Sequence, residues 1–236
     1  MKQNKLGILG GMGPKATSTF FDMIVDRTEA GQDQEHIDLV IMNHATLPDR
    51  TIAILDQQEQ PLLSLIEQDI RLLELAGVTA IVSPCNTIHY FFDQLQAMTP
   101  IPIVNMIEET VREAHQRFGA HSKVAVLATD GTIKSDIYAT GLREQQMEPY
   151  TPSPRQQDRI MSIIYEQVKA NNMDDSSELE KLIDELIMQD SCDGVILACT
   201  ELSCVRLSEA AKKHCIDAMD VLVHKSITLA GKRVKQ

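Results

Sequence analysis

Ala80-Ile81-Val82-Ser83-Pro84-Cys85-Asn86-Thr87 and Gly194-Val195-Ile196-Leu197-Ala198-Cys199-Thr200-Glu201 decide the fold of this 236-residue chain. Each is a short apolar run that ends at a cysteine with a threonine close behind. Such runs read as strands buried on both faces, the kind found in parallel sheets. The two cysteines stand 114 positions apart, close to half the chain. A protein that sets one thiol at matching points of two halves could hold two acid/base groups facing each other across a cleft.

The likeness of the halves extends outward. Lys5-Leu6-Gly7-Ile8-Leu9-Gly10 opens the first half and Lys123-Val124-Ala125-Val126-Leu127-Ala128 the second, at an offset of 118. Both lead into glycine turns, Gly11-Met12-Gly13 and Thr129-Asp130-Gly131-Thr132. A helical pattern precedes each cysteine strand, with Leu62, Leu65, Ile66, Leu72 and Leu73 on one apolar face and Leu179, Leu182, Ile183, Leu186 and Ile187 on the other. We read two diverged α/β repeats. Further strand-like runs fall near 37–42, 102–104 and 216–219. Helical patterns between the strands imply parallel sheets with right-handed crossovers. In such sheets ligands gather at the carboxyl ends of the strands, where Cys85, Cys199 and both glycine turns fall. Pro14 reads as the first residue of a helix. The segment 148–158, with three prolines, reads as a loop, and the polar 170–177 stretch as a break between helices. The exchange between halves is expected near Pro100-Ile101-Pro102.

Composition bounds the partners. With 43% hydrophobic residues the chain can bury real cores, and few aromatics with no tryptophan favour aliphatic α/β packing. A formal charge of −12 argues against a nucleic-acid surface, though not against a small anion held by local cations. Five cysteines, no CxxC pair and no secretory leader suggest reduced thiols in a cytoplasm. No apolar run approaches the ~18 residues of a membrane span, so no membrane partner is expected.

Gly11-Met12-Gly13-Pro14-Lys15-Ala16 matches the dinucleotide fingerprint, but the second strand ends Ile41-Met42-Asn43-His44 without the acidic ribose ligand, and Pro14 removes one N–H. A rim for a small carboxylate fits better. Cys192, Cys204 and Cys215 read as small hydrophobes. Cys85 and Cys199 differ, because each stands at a strand end beside a presumed helix start, where oriented amides favour a thiolate. The cysteine and histidine spacing fits no compact zinc site. His89, one turn past Cys85, reads as surface or helix-start packing. Arg50, just after the second strand, reads either as a carboxylate clamp or as a solvated loop residue. Lys169 reads as an exposed helix residue.

At Gly10-Gly11-Met12-Gly13-Pro14, Pro84-Cys85-Asn86-Thr87 and Ala198-Cys199-Thr200-Glu201, in this order and spacing, the chain resembles the aspartate/glutamate racemase family over nearly its whole length. Glutamate racemases proper carry Asp-Ser-Gly after the first strand and histidine after the second Cys-Thr. Gly-Gly-Met-Gly and Glu201 are similar instead to the aspartate racemase branch. Some relatives replace the first cysteine with threonine and favour one enantiomer; retention of both here implies two-way racemisation.

The resemblance implies two pseudo-symmetric α/β domains, each a parallel sheet flanked by helices. They would span residues 1–106 plus 216–236 and residues 107–215, with the active site in the cleft between them. It also implies a homodimer, a small anionic amino-acid substrate (aspartate, with glutamate also open), and catalysis without cofactor or metal. Cys85 and Cys199 would be the acid/base pair. Arg50 and Lys169 align with cations that bind the acidic substrate. Met12, Asn86, Thr87, Thr132 and Thr200 match positions lining its carboxylate and amino groups, and Glu201 would orient a thiol or the ammonium. Sister reactions of the superfamily, namely maleate isomerisation, hydantoin racemisation and arylmalonate decarboxylation, remain open. So does a non-enzymatic amino-acid-binding module.

Overall fold

A computed structural model describes residues 4–168 and 176–235. The chain divides into two compact units. One comprises Met1–Met106 with Leu222–Gln236, the other Ile107–Val221.

In the first unit β1 (Leu6–Gly10), α1 (Pro14–Arg27), β2 (Leu39–Asn43), α2 (Arg50–Leu55), α3 (Gln60–Leu75), β3 (Ala80–Val82) and α4 (Phe92–Ala97) follow in order. The three strands form a parallel sheet in the order β2-β1-β3. Strand β1 is central and every residue in it is buried, whereas edge strand β2 is only half covered. Leu62, Ile66, Ile70 and Leu73 of α3 pack with Leu9 and Ile81 into one core. The expected apolar face of α3 is thus rotated. Leu72 lies 51% exposed, while Leu63 and Ile70 point inward. The 102–104 run forms a single parallel bridge, Ile81 to Ile103, rather than a strand. Pro100 and Pro102, both on the N-terminal side of Ile103, limit the ladder, since proline offers no N–H.

The second unit contains α5 (Met106–Phe118), β4 (Lys123–Leu127), α6 (Asp130–Lys134), α7 (Ile137–Glu144), β5 (Glu148–Tyr150), α8 (Pro154–Ser162), α9 (Ser177–Met188), β6 (Gly194–Leu197), α10 (Glu209–Lys212) and β7 (Cys215–Asp217). Its parallel sheet runs β5-β4-β6-β7. The 148–158 segment is not a plain loop. Pro149 sits in edge strand β5, where a missing donor is tolerated. Pro154 opens α8 behind a capping box in which Ser153 and Gln156 satisfy each other's backbone. Most of the expected 170–177 break lies outside the described residues.

The sheets share a local plan, in that the first strand of each is flanked by its second on one side and its third on the other. Ile103 occupies beside β3 the place that β7 occupies beside β6. Because β7 pairs with β6, residues 216–217 belong to the second sheet. The chain rejoins the first unit at Leu222, within α11 (Ala218–Leu229), rather than at 216.

Candidate active site

In the first unit the carboxyl ends of β1, β2 and β3 carry the glycine turn, His44 and Cys85. Gly11 has a left-handed backbone (φ +92°), and a Cβ there would overlap the His44 backbone. Only glycine lets these two strand ends close together. Thr17, in the first turn of α1, accepts from Gly11 N–H at 2.8 Å and donates to Gly13 O at 2.9 Å, which pins the turn. Ser83 Oγ donates to Leu9 O at 2.8 Å and ties the approach to Cys85 onto β1. Cys85, Asn86 and Thr87 are all buried, and Met12 packs in the same core as Cys85.

Arg50 opens α2 behind the Asp49 cap and is only 8% exposed, which excludes the solvated-loop reading. Its Nη1 donates to Pro48 O at 3.1 Å, and its Nε has no hydrogen-bond partner. Helix α2 packs against the 3₁₀ turn Thr87–Phe91 that follows Cys85, so the guanidinium and the thiol belong to adjoining segments.

The first unit also holds two histidines in roles the sequence did not reveal. His89 is 4% exposed, not a surface group. Its Nδ1 lies 2.8 Å from Cys85 O and its Nε2 lies 3.3 Å from Val104 O. Burial pushes its pKa down, so the imidazole is held toward its neutral form, while the carbonyls pull the other way. The four-residue spacing from Cys85 was the available signal. His44 Nδ1 pairs at 2.8 Å with Asp69, a buried carboxylate on α3. Nothing in the sequence linked these two, 25 positions apart.

In the second unit Cys199, Thr200 and Glu201 follow β6 and are all buried. Cys199 Sγ donates to Glu201 Oε2 at 2.9 Å. Thr132 is buried at the start of α6, with its hydroxyl 3.2 Å from that of Thr129, the helix cap. At the end of β7, Asp217 Oδ1 accepts from Ser203 Oγ at 2.6 Å and from Met219 N–H at 2.8 Å. Burial pushes its pKa up to about 6 despite those bonds. Tyr138 is buried with its hydroxyl bonded to Thr110, and burial pushes its phenol up, with the charges of Asp217 and Cys199 adding to the shift. Lys169 lies outside the described residues.

Short 3₁₀ turns follow the thiols, Thr87–Phe91 after Cys85 and Leu202–Cys204 after Cys199, rather than the full helix starts expected. Burial pushes Cys192 up to about 11 and Cys215 up to about 12, which keeps both as inert thiols. Cys204 is partly exposed and bonds Thr200 O. Among the described residues no three metal-ligating side chains converge, and no helix is long and apolar enough to cross a membrane.

Residues 9–225 match the Asp/Glu/Hydantoin racemase family. The chain is 32% identical over 206 residues to the broad specificity amino-acid racemase RacX of Bacillus subtilis, covering 85% of this chain and 86% of that protein. Its fold is similar to the aspartate racemase of Picrophilus torridus, with a TM-score of 0.84 and 32% identity over 98% of this chain and 96% of that one. It is also similar in fold to the glutamate racemase of Francisella tularensis, with a TM-score of 0.65 at 18% identity over 97% of this chain and 81% of that one. Sequence and topology thus agree that the chain belongs to the Asp/Glu/hydantoin racemase family and is an isomerase of the amino-acid racemase kind.

Proposed function

We propose that the chain interconverts L- and D-aspartate by two-cysteine proton transfer, without pyridoxal phosphate or a metal. Inverting an α-carbon needs a base on one face and an acid on the other, so one cysteine starts as thiolate and its partner as thiol. Cys85 and Cys199 take these roles, one from each unit, and exchange them with the hand of the substrate. The α-proton is a weak acid, so the developing carbanion needs donors aimed at the adjacent carboxylate. Asn86, Thr87, Thr132 and Thr200, together with the Met12 turn, supply them in this reading.

The choice of an acidic substrate is carried by Arg50. A buried guanidinium whose Nε lacks a partner and whose Nη1 meets only a carbonyl is a cation short of an anion. A substrate side-chain carboxylate completes it, and Lys169 would supply a second charge. The 32% likeness to a relative named for broad specificity favours a second reading, in which glutamate and uncharged amino acids also turn over. The family resemblance further suggests a cytoplasmic homodimer, which sedimentation and cell fractionation would check.

Incubating L-aspartate in D2O with the protein should give racemisation with deuterium at Cα and no added cofactor. Loss of activity when pyridoxal phosphate is stripped, with recovery on its return, would overturn the mechanism. Parallel rates with glutamate and alanine separate the two readings.

A further inference from the structure

Cys199 and Glu201 are two acidic side chains in hydrogen-bond contact. The thiol donates to the carboxylate at 2.9 Å, and both side chains are buried, at 6% and 4% exposure. Glu201 stands just before the turn Leu202–Cys204, and its carboxylate makes no cap hydrogen bond to that turn. Among the described residues, Tyr138 on α7 feels the charges of both Cys199 and Asp217, the latter at the end of β7, and neither Tyr138 nor Asp217 brings a positive charge to the pair. Ionising Cys199 would therefore set a thiolate against a carboxylate away from water, and a like charge at such range disfavours the charged form.

We propose that Glu201 keeps Cys199 in its S–H form in the substrate-free enzyme, so that Cys199 meets the first substrate as proton donor and Cys85 as acceptor. This rests on the two-cysteine reading above. In the step itself, the Cys85 thiolate takes the proton from Cα, whose electron pair passes into the substrate carboxylate. The Cys199 S–H bond breaks and its proton goes to the opposite face. Cys85 is then S–H, and Cys199 is a thiolate beside Glu201. That thiolate is the stronger base for the return reaction, or it regains a proton from water while Cys85 gives one up to water before another turnover of the same hand. A racemase has an equilibrium constant of one, so kcat/KM is equal in both directions, and the asymmetry shows in the thiols themselves.

Site-resolved alkylation by iodoacetamide, read by mass spectrometry, tests this. Cys85 and Cys199 are 5% and 6% exposed, so access alone does not set their ratio. In the unsubstituted protein the Cys199 rate should climb through a midpoint above the ~8.5 of an unperturbed thiol. Burial alone would also raise that midpoint, so Glu201→Gln isolates the carboxylate. At pH 7 it should speed Cys199 alkylation about tenfold, the equivalent of one pKa unit, and leave Cys85 within about twofold. Glu201→Asp, which keeps the charge, should fall between. A parent midpoint below that of an unperturbed thiol, or a folded Glu201→Gln protein whose Cys199 reacts no faster, overturns the proposal. Neither readout needs turnover, so a protein inert toward aspartate would sink the racemase reading alone.

Discussion

Arg50 shows how much one side chain can say. Its helix cap, its burial and its missing partner combine into a charge that the chain's own described residues do not neutralise. Arg50→Ala should raise KM for aspartate about ten- to a hundredfold, the worth of a charged hydrogen bond of roughly 1.5–3 kcal/mol. An uncharged amino acid should be nearly unaffected, and equal loss for both substrates would remove Arg50 from the site. The cysteines give the companion prediction. Cys85→Ala and Cys199→Ala should each abolish racemisation, and the double variant should lose little more, because the pair acts as a unit. Each single variant should still exchange the α-proton of one enantiomer slowly, and the two should favour opposite hands. Cys192→Ala and Cys215→Ala should keep turnover within severalfold. A folded Cys85→Ala protein that racemises both hands at the parent rate would refute the two-thiol mechanism.

At the scale of elements, β7 matters beyond its three residues. It ends in Asp217, which bonds the turn after Cys199 through Ser203. The folded pKa of about 6 lies above the ordinary 3.8, so the folded state binds more protons across that interval. Stability therefore falls as pH rises from about 4 to 6, and the cost is fully present above 6. Asp217→Asn keeps an oxygen to accept the bonds but cannot ionise. Its stability relative to the parent should improve by about 1 kcal/mol between pH 5 and pH 7, as measured by urea unfolding. A relative stability that worsens over that range would mean the Asp217 carboxylate is favoured by its surroundings.

At the scale of the molecule, the first unit is completed by the chain's last segment. Leu222, Val223 and Ile227 of α11 are fully buried, and the backbone of Arg233 to Lys235 bonds the end of α1. Leu222→Ala should cost about 2–5 kcal/mol. By hydrogen exchange, the loss of protection should appear in segments of residues 4–106, because residue 222 belongs with that unit. Loss confined to residues 107–221 would contradict this division.

Periodicity alone was enough to establish alternating strands and helices, the doubled pattern and the two strand-end cysteines. Backbone preferences and burial on both faces write themselves into short apolar runs. The glycine turn was marked as a carboxylate rim by its place after a strand, whereas position left Arg50 open between a clamp and a solvated loop residue, and the roles proposed for Arg50 and Glu201 come from the family resemblance. What the folded structure alone decided were relations between distant residues. These include the rotation of the α3 face, β7 joining the second sheet, the His44–Asp69 pair, and the burial that turned His89 inward and left Arg50 without a counter-charge among the described residues. None of these follows from local pattern, because burial and pairing depend on what other elements bring into contact, and side-chain charge is decided by that surrounding dielectric.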